Sequence, residues 1–153
     1  MSLFDDVISN TQSDKPPFRQ APEDDYLVTV RSARKVKANT GTEGIEITFT
    51  MQENLSNSGD MDGVDLSKCR LRDTKWVTEK TKEYVARDLA RIAPETVGQT
   101  FTDALDILPG AEVVVRVKHQ THNRAGEELK TPYLEVSTYY TRDWYYANKM
   151  KAA

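Results

Sequence analysis

The chain has 153 residues, 38% of them hydrophobic and 29% charged, with a formal net charge of −3 and a single cysteine. That length suits one core with a short segment at either end, since single domains commonly hold about 100–150 residues, and it leaves no room for a second core. No run of about 18 apolar residues is present to span a bilayer, Met1-Ser2-Leu3-Phe4-Asp5-Asp6 lacks the basic-then-apolar order of a secretory signal, and Cys69 alone builds neither an internal disulfide nor a zinc site, so a reducing cytoplasm is expected.

Residues 1–24 mix Ser, Thr, Gln, Asn and Asp with Pro16, Pro17 and Pro22, a composition that resists regular structure, and are expected to form a flexible acidic arm. Leu3, Phe4, Val7 and Ile8 would fit one amphipathic turn within it. Residues 1–25 carry six acids against two bases, a balance of −4, which leaves +1 for the other 128 residues. The body is therefore close to neutral, and the distribution of its charge matters more than its sum.

A first strand is predicted from Tyr26 to about Lys37, with Tyr26, Val28 and Val30 alternating against Leu27, Thr29 and Arg31, and it ends at the turn-like Ala38-Asn39-Thr40-Gly41. Ile45, Ile47, Phe49 and Met51 then alternate with Glu46, Thr48 and Thr50, the cleanest period-two signal in the chain. After a polar connection over 54–63, Lys68 to about Val77 reads as a third strand in which basic residues alternate with Cys69 and Leu71. Thr78 is a candidate N-cap for a helix with Tyr84, Val85, Leu89 and Ile92 at helical spacing, stopped by Ala93-Pro94. A short helical turn over 101–108 precedes the turn Pro109-Gly110. The fourth strand, Glu112 to about Gln120, sets Val113, Val115 and Val117 on one face against Val114, Arg116 and Lys118. The fifth runs from Tyr133 to Tyr140, and 141–153 form an aromatic and basic tail.

Three strands, one helix and two strands is the element order of the five-stranded OB-fold, a Greek-key barrel with its helix between strands three and four. An all-β domain with one helix is thus expected over 25–140. The run Tyr26-Leu-Val-Thr-Val30, then Gly44-Ile-Glu-Ile-Thr-Phe49, a later basic strand, a lone helix and Leu108-Pro-Gly-Ala-Glu-Val-Val-Val-Arg-Val117 resembles small phage proteins of replication and recombination modules. That family, catalogued as a phage domain of unknown function, is regarded as OB-fold single-stranded-DNA-binding proteins. The resemblance covers roughly residues 24–140 and implies a DNA-binding protein of the host cytoplasm, with phage or host replication and recombination proteins as further partners. One departure is plain: many single-strand binders carry an acidic tail, whereas this sequence closes on Trp144-Tyr-Tyr-Ala-Asn-Lys-Met-Lys-Ala-Ala153.

A single-strand binder needs cations to follow phosphates and flat side chains on which unpaired bases stack, each stack being worth about 1–3 kcal/mol. Arg31, Arg34, Lys35 and Lys37 supply cations from the first strand, Arg70, Arg72 and Lys75 from the third, and Arg116 and Lys118 from the fourth. Trp76, Tyr133 and Tyr139 are the candidate stacking rings. The competing reading of a ring is core packing, which is expected for Tyr26 and Phe49 and stays open for Trp76 and Tyr139. The competing reading of a basic run is a solvated strand face.

Enzyme readings lack parts. No phosphate-cradling GxxxxGK[ST] loop or nucleophile elbow occurs, and neither histidine is near Cys69 in sequence. His119 and His122, three apart in an extended segment, point to opposite faces, and Asp60-Met-Asp62-Gly63-Val-Asp65 lacks the glutamate that closes a calcium loop. No catalytic residue, cofactor, metal or membrane partner is expected. Non-specific single-stranded DNA binding in phage replication or recombination is the expected function. A structural or protein-interaction barrel of a virion or assembly is the alternative, and homo-oligomerisation is left open.

Overall fold

The computed structural model describes residue 4 and residues 18–57, 59–123 and 125–148, so most of the expected arm and residues 149–153 of the expected tail lie outside the described residues. Five strands, β1 (Asp24–Lys37), β2 (Glu43–Asn54), β3 (Leu71–Trp76), β4 (Glu112–His122) and β5 (Glu128–Tyr140), form one sheet in the order β3-β2-β1-β4-β5. Every neighbouring pair is antiparallel. Helices α1 (Lys82–Ile92) and α2 (Phe101–Ile107) lie between β3 and β4, and α3 (Arg142–Asn148) follows β5.

The alternation read from the sequence sets the core. Val28, Val30, Ile45, Ile47, Phe49, Leu71, Val113, Val115 and Val117 point to one side and bury against Val85, Leu89 and Ile92 of α1 and Ala104 of α2. Each such side chain contributes about 1.5–3 kcal/mol on leaving water. The α1 stripe has i, i+4, i+7 spacing, so only one face of that helix is apolar. α1 begins at Lys82, later than the expected cap. Thr78 instead makes a turn in which its hydroxyl accepts from the Thr81 amide at 3.2 Å and its carbonyl from the Lys82 amide at 2.8 Å.

The sheet is open, which differs from the closed barrel expected. No hydrogen-bonded ladder joins β3 to β5 among the described residues. The register of β3 on β2 pairs Asp73 with Ile47 and Lys75 with Ile45, so both charged side chains share the inward face. There the Tyr139 hydroxyl donates to Asp73 Oδ2 at 2.5 Å, and Lys75 Nζ sits 4.8 Å from the Tyr139 ring centre and 2.9 Å from Asp88 Oδ2 of α1. Side chains bridge the two edges where a ladder would run, and inward charges keep a short edge strand from pairing further.

Described parts of two segments expected to be appendages, residues 18–24 and 142–148, pack on the body. Ala21 is fully buried, Gln20 Nε2 donates to the Pro132 carbonyl at 2.8 Å, and the His119 amide donates to Glu23 at 2.8 Å. Asp24 and Asp25, counted with the arm, are buried at the start of β1. The tail sequence folds into α3, whose Tyr145 closes a second cluster with Leu27, Leu55 and Val114 on the opposite side of the sheet.

Candidate nucleic-acid interface

A groove of about 1150 Å³ runs over β2 and β3 and is bounded by Thr131–Leu134 of β5 and by Phe18 and Gln20. Among the described residues its cations are Arg31, Lys68, Arg70 and Arg72, and no described carboxylate lines it. The sequence builds this locally. A register shift between Val30 and Ser32 against Phe49 and Thr48 makes Arg31 the extra residue of a bulge, which aims its side chain out of the regular alternation. Leu66–Lys68 form a 3₁₀ turn capped by Asp65, whose carboxylate accepts from the Ser67 amide at 3.0 Å. Buried Cys69 anchors the next step, so Lys68 and Arg70 on either side of it stay exposed. Burial pushes the Cys69 thiol up, which keeps it protonated at neutral pH.

Two rings at the groove are open to solvent, Tyr133 at 59% and Phe18 at 51%. Phe18 and Lys68 were missed in the sequence. Phe18 was absorbed into the arm, and its signal was an aromatic placed directly before Arg19 in an otherwise polar stretch.

Beyond the groove, the outward face of β1, β2 and β3 carries Arg34, Glu46, Arg72 and Trp76. Glu46 lies 2.8 Å from Arg34 Nε and 3.9 Å from Arg72, holding the two guanidinium groups on one surface. Lys35 pairs with Glu43, and this contact holds the Glu43 carboxyl below its usual range. Lys37 is exposed at the end of β1. Trp76 is 37% exposed.

The remaining candidates go elsewhere. Tyr139 is 3% exposed, and burial together with the neighbouring Asp73 carboxylate holds its phenol well above the usual range, so it offers no free face for a base. Lys75 is enclosed by Asp73, Asp88 and that ring, because its register puts it on the core side. Arg116 lies 3.3 Å from buried Asp25, whose other oxygen accepts the Tyr145 hydroxyl at 2.9 Å, and so belongs to the patch under α3. Lys118 is exposed on β4 and does not line the groove. Of the twelve residues expected at the site, Arg31, Arg70, Arg72 and Tyr133 meet in the groove, Arg34 and Trp76 lie on the adjoining face, and Tyr139, Lys75 and Arg116 serve the fold.

Among the described residues no three His, Cys, Asp or Glu side chains gather to hold a metal ion, and no described helix is long and apolar enough to cross a membrane. No protein-family model matches this chain, and a search of curated proteins finds no match.

Proposed function

We propose that the protein binds single-stranded DNA with little sequence preference, in phage replication or recombination, through the groove over β2 and β3. The observation that carries this reading is the groove's composition: among the described residues, four cations, two exposed rings and no carboxylate, in a chain whose net charge is −3. Cations follow the phosphates and release counterions, while the rings stack unpaired bases of any identity. Uncharged polar side chains of the lining, such as Thr48, Thr50 and Gln120, are short or flexible, which suits tolerance rather than sequence readout.

The strand order supports an OB-like reading of the sheet, because that barrel also keeps its first strand between the second and fourth and offers the face of strands two and three to oligonucleotides. In this reading the side-chain bridge of Asp73, Lys75 and Tyr139 stands in for the closing ladder.

Titration of a fluorescent oligonucleotide and of a duplex of equal length, each at two salt concentrations, tests the proposal. Single strand should bind more tightly than duplex, with log K falling linearly against log salt at about −0.7 for each phosphate neutralised. Equal affinity for the two forms, or binding indifferent to salt, overturns it, and the latter result favours a protein-interaction module.

A further inference from the structure

Trp76 closes β3 directly opposite Gly44 of β2, and the two form a cross-strand pair on the outward face. A Cβ placed on Gly44 would stand 2.7 Å from Cε3 and 3.2 Å from Cζ3 of the indole, and 2.9 Å from the Lys75 carbonyl. The benzo edge of the ring therefore lies over bare glycine backbone, at a distance no side chain at that position would permit. This is a requirement for space, since Gly44 is not among the residues with positive φ. An aromatic ring laid across a neighbouring glycine is a known way for a sheet to cover a gap left by a missing side chain. Here the covering ring keeps 37% of its surface in solvent. It also lies on the same face as Arg34 and Arg72, both paired with Glu46, and Arg72 lines the groove.

Resting on the single-strand reading above, we infer that Gly44 is a positioning residue: it lets the Trp76 indole lie close against the sheet as a stacking platform that extends the binding path past Arg72, beyond the groove. The glycine touches no nucleic acid. It fixes where the ring lies, and a ring fixed in place gives up less freedom when a base stacks on it.

The test is a double-mutant cycle in which affinity for a fluorescent oligonucleotide and melting temperature are measured for the parent, Gly44→Ala, Trp76→Ala and the double variant. Trp76→Ala should weaken binding roughly five- to 150-fold. Gly44→Ala should weaken it by a similar factor, with the salt slope unchanged because no cation is lost. In the Trp76→Ala background the same substitution should have no further effect on binding. Trp76→Phe supplies a smaller ring and should restore part of the affinity lost in Gly44→Ala. With Trp144→Phe, Trp76 is the remaining tryptophan of the two in the chain, and its quenching by oligonucleotide should fall in Gly44→Ala.

Equal losses on Gly44→Ala with and without the indole, or a lowered melting temperature with affinity unchanged, overturn the inference. If the parent binds oligonucleotide and Trp76→Ala binds as well, the platform falls while the groove reading stands. If the parent binds none, the functional reading itself falls.

Discussion

The groove over β2 and β3 and the patch beneath α3 draw on the same residue types and put them to opposite uses. In the groove, Arg31, Arg70 and Arg72 have no carboxylate among the described lining residues, Arg72 meeting Glu46 only at 3.9 Å on the adjoining face, and Tyr133 stands open to solvent. Under α3, Arg116 lies 3.3 Å from Asp25 and Tyr145 is 1% exposed, with its hydroxyl on the same carboxylate. Asp24 beside it accepts from Asp25's own amide at 2.8 Å, from Asn54 at 3.0 Å and from Ser56. Two adjacent buried acids thus organise the start of β1 and the connection after β2. An arginine or a tyrosine carries no functional meaning until its partners are known. Held by a buried acid beneath a helix it is structure, whereas on an open face, as with Arg72 at 3.9 Å from the outward-facing acid Glu46, it is available to a ligand.

The sharpest way to break that contrast is to truncate one tyrosine from each region. Tyr145→Ala removes a buried ring from the cluster of Leu27, Leu55 and Val114 and strips Asp25 of a donor, and large aromatic truncations of this kind cost about 3–5 kcal/mol. Its urea midpoint should drop accordingly, while affinity for oligonucleotide under folding conditions should hold. Tyr133→Ala should behave in the opposite way, with stability within about 0.5 kcal/mol of the parent and binding weaker by about 1–3 kcal/mol. If both variants lose stability alone, the groove ring is structural and the contrast collapses.

The cations sharpen the comparison further. Replacing Arg31, Arg70 and Arg72 together by Gln should lower the slope of log K against log salt by about 2, since each single-strand phosphate contact contributes about 0.7. Arg116→Gln should leave that slope alone and lower stability, because it leaves the buried Asp25 carboxylate without its cation. A slope that changes equally in both would place Arg116 at the interface after all.

How much of this was legible in the sequence follows from what period-two alternation can and cannot say. It placed Val113, Val115 and Val117 in the core, and it put Tyr26 and Phe49 there as well. It also grouped Lys75 with Arg70 and Arg72 as one basic strand, although Lys75 has odd parity with respect to those two and faces inward with Asp73. The acids that neutralise it, Asp88 on α1 and Asp73, and the ring it covers, Tyr139 on β5, come together only in the fold. Arg31 was chosen as one cation in a run, and nothing local announced the register shift that aims it. The segment 141–153 read as a tail because its rings, Trp144, Tyr145 and Tyr146, are consecutive and show no helical spacing. α3 forms by laying Tyr145 on the sheet and stacking Trp144 on Tyr140, with ring centres 5.3 Å apart.

The buried phenols make a prediction in pH. Burial and the Asp73 carboxylate raise Tyr139, and burial with the Asp25 hydrogen bond raises Tyr145. Unfolded tyrosines release their protons near pH 10, whereas these two still hold theirs in the folded protein. Their contribution is therefore whole below about pH 10 and is lost as pH climbs through the folded values. Urea midpoints should be flat from pH 8 to 9.5 and fall beyond, and the fall should be shallower in Tyr139→Phe. An identical alkaline fall in Tyr139→Phe assigns the effect to other groups.

The smallest effect expected comes from the residues ahead of the groove. Phe18 lines the groove, and residues 1–17, which precede it in sequence, carry Asp5, Asp6 and Asp14 against Lys15, a balance of −2. Negative charge covalently linked to Phe18 would compete with phosphate for Arg31, Lys68, Arg70 and Arg72. Removing residues 1–17 while keeping 18–24, which pack on β4 and β5 through Gln20, Ala21 and Glu23, should therefore tighten oligonucleotide binding at low salt. Screening shortens the reach of that competition from about 10 Å at 0.1 M to about 3 Å at 1 M. The gain on deletion should accordingly shrink as salt rises, and the truncated protein should show a steeper salt slope than the parent. The region under α3 gives the control, because its Asp25 carboxylate is buried and paired with Arg116. Tyr145→Ala should shift stability by the same amount in the full chain and in the truncated one. An affinity unchanged by the deletion at every salt concentration would remove the leading residues from the electrostatics of the groove.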